Sequence, residues 1–216
     1  MTTRPTLEFF YAGACPWSYL AFARLEEVAM RTASTIAFRP VLEPARAAWQ
    51  PAFLGAGSGP AAGALAAYVV KDLADWARFC GLTIYLPASG PATGEWVQRV
   101  AVLAIQAGCI VPYVRAAFRA HFGENRNLGS CEVVRDIGLS CGLAVHDMEA
   151  AYESDAVGAT LARHTAEFAS RGGFASPTVF FGRDMYVGHD RMPLLESALM
   201  RASDRVFIAP GDHGRR

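Results

Sequence analysis

The sequence predicts an α/β fold in which a βαβ half and a ββα half flank an all-helical insertion. Three observations predict it. The first 41 residues read strand, helix, strand, from "TLEFFY" through "CPWSYLAFARL" to "TIAFRPV". Near the other end "SPTVFFG" and "MYVG" read as two strands joined by a short turn, with a helical pattern on either side. Residues 46–155, between them, hold too few β-branched runs for a sheet module and show repeated helical periodicity.

Taken in order, residues 7–11 are a β-prone run, and the apolar spacing from Pro16 predicts a helix over 16–31. A second strand is expected near 35–41, parallel to the first because a helix separates them. Residues 43–63 are rich in proline and glycine and read as a long irregular connection. Leu65, Tyr68, Val69, Leu73, Trp76 and Phe79 then mark one face of a helix ending at Gly81. An extended piece, "LTIYLPA", leads to helices over 95–107 and 112–122. Ser130 is placed to cap a helix running to Cys141, and Asp147 to begin a short one. A helix over 157–170 ends at Gly172-Gly173, a strand covers Thr178–Phe181, and a last helix is expected over 190–202.

Composition narrows the function. An apolar fraction of 52% and a charged fraction of 19% describe a chain with a buried core. Twenty basic and twenty acidic side chains give a formal charge of zero, so a nucleic-acid partner is not expected, since neutralising phosphates needs a basic excess. The N-terminal "MTTRPTLEFF" has no apolar stretch of signal-peptide or membrane-helix length, which makes a cytoplasmic protein without a membrane partner the expectation. The five cysteines form no C-x-x-C or Cys/His spacing and the five histidines show no metal pattern, which suits a reducing compartment and no metal site. Cys80 and Cys109 lie in apolar helical patterns and read as buried small hydrophobes.

Chemistry concentrates at two places. Cys15 stands where a strand turns into a helix, and unpaired N–H groups at a helix start favour a thiolate. Pro16 suits the first helical turn, and Ser18, three residues beyond Cys15, is placed to direct its hydroxyl toward the sulfur. The second place is "FASPTVFF", where Ser176-Pro177 ahead of a strand is a candidate cis peptide in a tight turn.

These residues carry a family resemblance. "CPWSYLAFARL", "YVVKDLADWARFCGLTIYLPA" and "SPTVFFGRDMYVGHDRMPLLESAL" resemble, in order, segments of the 2-hydroxychromene-2-carboxylate isomerases and kappa-class glutathione transferases. Those proteins have a thioredoxin-like fold with a helical insertion. The resemblance covers most of the chain short of the tail beyond Asp204. It implies a thioredoxin-like domain from residues 1–45 and 156–216, an inserted helical domain over 46–155, and a homodimer. It also implies a glutathione site: Ala175, Ser176 and Pro177 would face its cysteinyl part, and His189 and Asp190 would hold the γ-glutamyl end. By its own pattern, Asp190 also reads as a helix N-cap, and Lys71-Asp72 as a solvated pair. Two departures stand out. The family carries serine where this chain has Cys15, and an asparagine ahead of a Gly-Pro where this chain has Gly57.

Three readings follow. In the first, glutathione or Cys15 supplies a thiolate that adds to a 2-hydroxychromene-2-carboxylate-like small aromatic or polyketide-like acid and leaves again, isomerising it. In the second, Cys15 is a monothiol that exchanges disulfides or transfers glutathione through a mixed disulfide, because Ser18 cannot resolve it. In the third, the scaffold binds glutathione or a small aromatic molecule without catalysis. Trp17, Phe10, Trp49 and Phe174 are candidates for lining an apolar pocket, with Trp17 the expected substrate contact.

Overall fold

The structure is a computed structural model, which describes residues 4–42, 60–86 and 94–203. Strand β1 (Thr6–Tyr11) alternates in its burial environment: Leu7, Phe9 and Tyr11 join one core cluster and Phe10 another. Period-two alternation of this kind places apolar side chains on both faces of a sheet. Helix α1 (Pro16–Thr32) begins with proline in its first turn and connects to β2 (Thr35–Pro40), which pairs parallel to β1 from Thr6↔Thr35 to Tyr11↔Pro40. Strands β3 (Thr178–Phe181) and β4 (Asp184–Val187) form the expected hairpin, and β3 lies antiparallel to β1. The sheet order is β2-β1-β3-β4.

Between β2 and β3 come α2 (Pro60–Phe79), α3 (Glu95–Gln106), α4 (Ile110–Phe118), α5 (Cys131–Ser140), α6 (Val145–Glu153) and α7 (Asp155–Ser170). The chain closes its described part with α8 (Met192–Ala202). The insertion is not a separate ball beside the sheet. Leu7 and Phe9 of β1, Phe22 of α1, Val100 of α3, Phe118 of α4, Val134 of α5 and Leu195 of α8 belong to one continuous buried cluster. Phe10, Val41, Phe168 and Phe180 form a smaller cluster in which α7 packs on the sheet.

Several boundaries differ from the sequence pattern. Helix α2 starts at Pro60, earlier than the expected irregular stretch allows, because proline suits a first helical turn. Of its expected apolar face, Leu73 is buried with Ala77, but Tyr68 and Phe79 are exposed. Helix α4 widens after Phe118 into a π-helical turn, Arg119–Gly123, and Tyr85 donates its N–H to the Phe122 carbonyl at 2.7 Å. Ser130 does sit at the N-cap of α5, yet its hydroxyl makes no capping bond; Ser154 caps α7 instead, accepting from the Val157 N–H at 3.3 Å. Cys80 and Cys109 are partly exposed rather than buried, though what burial they have pushes both thiols up.

Candidate active site

The site grows out of the end of β1. A tight turn follows Tyr11, in which the Cys15 N–H donates to the Ala12 carbonyl at 3.2 Å. Gly13 is small for a reason: a Cβ there would stand 3.0 Å from Val97 Cγ1 and 3.2 Å from Gln98 Oε1 of α3. Cys15 is the N-cap of α1, in extended backbone conformation, and its carbonyl accepts the N–H groups of Ser18 (3.0 Å) and Tyr19 (3.3 Å). Its side chain is fully buried, and the thiol donates to the Ser176 carbonyl at 3.5 Å. The Ser176–Pro177 peptide is cis.

The cis-proline loop is held from both sides. The Thr178 hydroxyl donates to the Ala175 carbonyl at 2.6 Å, and the Gly188 N–H donates to the Pro177 carbonyl at 2.8 Å. That second bond ties the loop to a 3-10 turn, His189–Arg191, which leads into α8. Cys15, Ser176, Pro177 and the His189–Asp190 turn, distant in sequence, therefore form one connected site.

Aromatic rings wall it. Trp17 stacks on His189 with ring centres 5.0 Å apart, and Trp76 of α2 meets the same imidazole edge-on at 4.6 Å. The Arg24 guanidinium lies 4.9 Å from the Trp76 ring centre and donates to the His189 carbonyl at 2.7 Å. His189 is buried, its Nε2 makes no hydrogen bond, and burial pulls its pKa down to about 4. Asp190 opposes that shift, while Arg24 and Arg191 add to it. Asp72 of α2 has its carboxyl pushed up, first by burial and then by the negative charge of Asp190, against a hydrogen bond from Trp76.

Several expectations are corrected here. Ser18 is fully buried and its hydroxyl makes no hydrogen bond to the Cys15 sulfur, which donates to the Ser176 carbonyl. Asp190 is not the N-cap of α8; Arg191 is, and the Asp190 carboxylate bonds the Arg191 guanidinium at 2.6 Å. Lys71 pairs with Asp75 rather than Asp72, because one helical turn brings positions four apart together. Phe10, expected to line a pocket, is fully buried in the cluster with Phe168 and Phe180. Phe174 is exposed, and Trp49 and Gly57 lie outside the described residues.

Three site residues were not singled out from sequence. Arg24 stands seven positions after Trp17, two helical turns on, and so shares its face of α1. Trp76 sat inside an apolar pattern that read as core. Gln98 is buried, and its amide donates to the carbonyls of Tyr11 (2.8 Å) and Val41 (3.0 Å), pinning the strand ends below Cys15. Among the described residues no His, Cys, Asp and Glu group is arranged to hold a metal ion.

The family model of the DSBA-like thioredoxin domain matches residues 6–200, a span that includes both the buried Cys15 thiol and the cis-proline loop. The chain belongs to the DSBA-like thioredoxin family. Among proteins similar to it is the 2-hydroxychromene-2-carboxylate isomerase of Sphingobium xenophagum, 26% identical over 199 residues that make up 90% of this chain and 98% of that protein. A solved structure of a 2-hydroxychromene-2-carboxylate isomerase superposes with a TM-score of 0.77 at 25% identity, covering 92% of this chain and 96% of that one. The cytosolic disulfide reductase DsbM from Pseudomonas aeruginosa, solved with GSH, shares the fold at a TM-score of 0.61 and 20% identity, over 93% of this chain and 100% of its own. Within the DSBA-like family, this member carries one thiol at the helix start and Ser18 three residues later. It cannot close a C-x-x-C disulfide there. No helix among the described residues is long and apolar enough to cross a membrane.

Proposed function

We propose that this DSBA-like protein is a thiol-dependent cis–trans isomerase of a small aromatic acid of the 2-hydroxychromene-2-carboxylate kind. The observation that carries the reading is the Cys15 thiol, buried at the start of α1 and bonded to the Ser176 carbonyl. The site suits a small thiol compound, and glutathione in particular. The cis-proline loop presents peptide groups beside Cys15, and the partly exposed Asp190 carboxylate, 42% accessible, suits an ammonium group. His189 is enclosed by Trp17 and Trp76, so its part is to support the Asp190 turn. When bound, glutathione would supply a thiolate that adds to a conjugated acid and leaves it.

Cys15 can perform the same chemistry alone. Its sulfur forms a carbon–sulfur bond to the conjugated acid, and the displaced electron pair passes to the ring oxygen as the ring opens, taking up a proton. The former double bond is then single and rotates. The enol left by ring opening gives up its O–H proton and becomes a ketone, and its electron pair re-forms the double bond. The carbon–sulfur pair returns to sulfur, which recovers that proton; no oxidant or reductant is consumed. The proton taken up is the one the Cys15 thiol, which donates to the Ser176 carbonyl at 3.5 Å, releases as its sulfur attacks.

A spectrophotometric isomerase assay of wild type and Cys15→Ser, with and without glutathione, tests this. Turnover by wild type without glutathione, abolished in Cys15→Ser, is the expected result. Strict glutathione dependence with an unharmed serine variant would sink Cys15 as nucleophile. No isomerisation under either condition would sink the isomerase.

One observation favours a second reading. Ser18 stands where a resolving cysteine would be, so Cys15 attacking glutathione disulfide would form a mixed disulfide and release one glutathione, to be freed by a second. Intact mass after exposure to glutathione disulfide decides: one glutathionyl adduct lost on Cys15→Ser supports it, and an unmodified chain opposes it. A cytoplasmic homodimer is part of the same proposal, resting on the resemblance alone.

A further inference from the structure

We infer that Arg24 is a positioning residue, whose single guanidinium holds both the His189–Asp190 turn and the inserted helix α2 in place against the thiol site. The inference rests on the glutathione reading only for its ligand arm. The geometry is a closed circuit of named contacts. Arg24 donates to the His189 carbonyl at 2.7 Å, so the backbone of the turn is fixed from α1. The same guanidinium lies over Trp76 at 4.9 Å, so its flat face seats α2. Trp76 then meets the His189 imidazole edge-on at 4.6 Å, and that imidazole stacks at 5.0 Å on Trp17, two residues beyond Cys15.

Three properties separate this from ordinary packing. A guanidinium has donors in its plane and apolar faces above and below, so it can bond a carbonyl and stack on a ring together; an ammonium has no such faces. His189 is buried with its Nε2 making no hydrogen bond, and burial disfavours the imidazolium, with Arg24 and Arg191 adding to that and Asp190 opposing it. The charged groups around it are Arg24 from α1, Asp190 and Arg191 on its own turn, and Asp72 of α2 facing Asp190, while Glu196 of α8 is engaged by Arg31. Removing the guanidinium takes away a positive neighbour, frees the turn's carbonyl and unseats Trp76, and each change lets the imidazole accept a proton more readily. It also loosens the turn that carries Asp190, the carboxylate proposed to meet the ligand.

Arg24→Met and, as a second variant should the first fail to fold, Trp76→Leu test this by two readouts. The first is the His189 titration, followed by NMR of the ring protons, assigned with His189→Gln, on samples shown folded by circular dichroism. Burial pulls His189 down to about 4 in the wild-type fold, so a low midpoint is expected there, and in either variant it is expected to move up toward the ordinary histidine value of 6.5. The second is glutathione binding by calorimetry, expected to weaken about tenfold, the scale of a lost hydrogen bond to a charged group. An unmoved His189 midpoint in a folded variant would overturn the positioning role, whatever its melting temperature. A shifted midpoint in a protein whose wild type does not bind glutathione would uphold Arg24 and refute the glutathione reading instead.

Discussion

Gln98→Leu should show how much the thiol corner depends on one amide that no motif contains. In the native protein the Gln98 side-chain N–H groups reach the Tyr11 carbonyl at 2.8 Å and the Val41 carbonyl at 3.0 Å, and the residue is 2% exposed. Leucine fills similar space but donates nothing. The Tyr11 carbonyl keeps the Val41 N–H at 3.0 Å as a partner, so its loss is that of one ordinary bond. That costs about 1 kcal/mol, and leaving the Val41 carbonyl without the amide costs about 1–3 kcal/mol, of which the added apolar burial returns part. A net loss of about 2–3 kcal/mol lowers the melting temperature by about 4–12 °C in a chain of this size. The damage should be local as well: amide exchange at residues 11–15 and 41 should accelerate more than exchange in α5 or α7. Urea denaturation with exchange mass spectrometry reads both. A loss below about 0.5 kcal/mol, a typical surface effect, with unchanged exchange at the corner, would refute the argument that Gln98 pins the strand ends.

The other expectations are more compact. His189 has a folded pKa of about 4 against 6.5 in the unfolded chain, and His121 and His164 are lowered too, chiefly by burial. The unfolded state therefore binds more protons, and stability present above pH 6.5 is lost as pH falls through the window down to about 4, by about 3 kcal/mol for His189 alone; thermal melts from pH 7.5 to 4.5 should show the decline, and His189→Gln should flatten it. Gly138→Ala would place a Cβ 2.1 Å from Met148 Sδ, where α5 meets α6, and should cost about 1–3 kcal/mol by overpacking; Met148→Ala in the same chain should cost less than the sum of the two changes measured separately.

Much of the architecture was legible because it follows from local rules. The alternation of Leu7, Phe9 and Tyr11 marks a strand, Pro16 marks a helix start, and Ser176-Pro177 before "TVFF" marks a tight turn that is indeed cis. The helix starts were less legible. Pro60, Val145 and Asp155 each begin a helix earlier than the apolar pattern alone indicated, since first-turn residues face solvent and carry little periodicity. Exposure was the weakest inference: Tyr68 and Phe79 share the apolar spacing of α2 but face outward, because α2 packs chiefly on α1 through a narrow strip around Leu73 and Ala77.

By itself, then, the sequence determined the strand and helix types, the two chemical segments around Cys15 and Pro177, and the single-thiol character set by Ser18. Those depend on residue types within a few positions of each other. Only the tertiary structure decided that the Cys15 sulfur bonds the Ser176 carbonyl and that Arg24, Trp76 and Gln98 belong to the site at all. Each of those contacts joins residues from different elements, from Gln98 to Tyr11 across 87 positions and from Arg24 to His189 across 165. Local propensity says which element a residue joins; which residues meet depends on how the elements pack, and no short-range pattern encodes that.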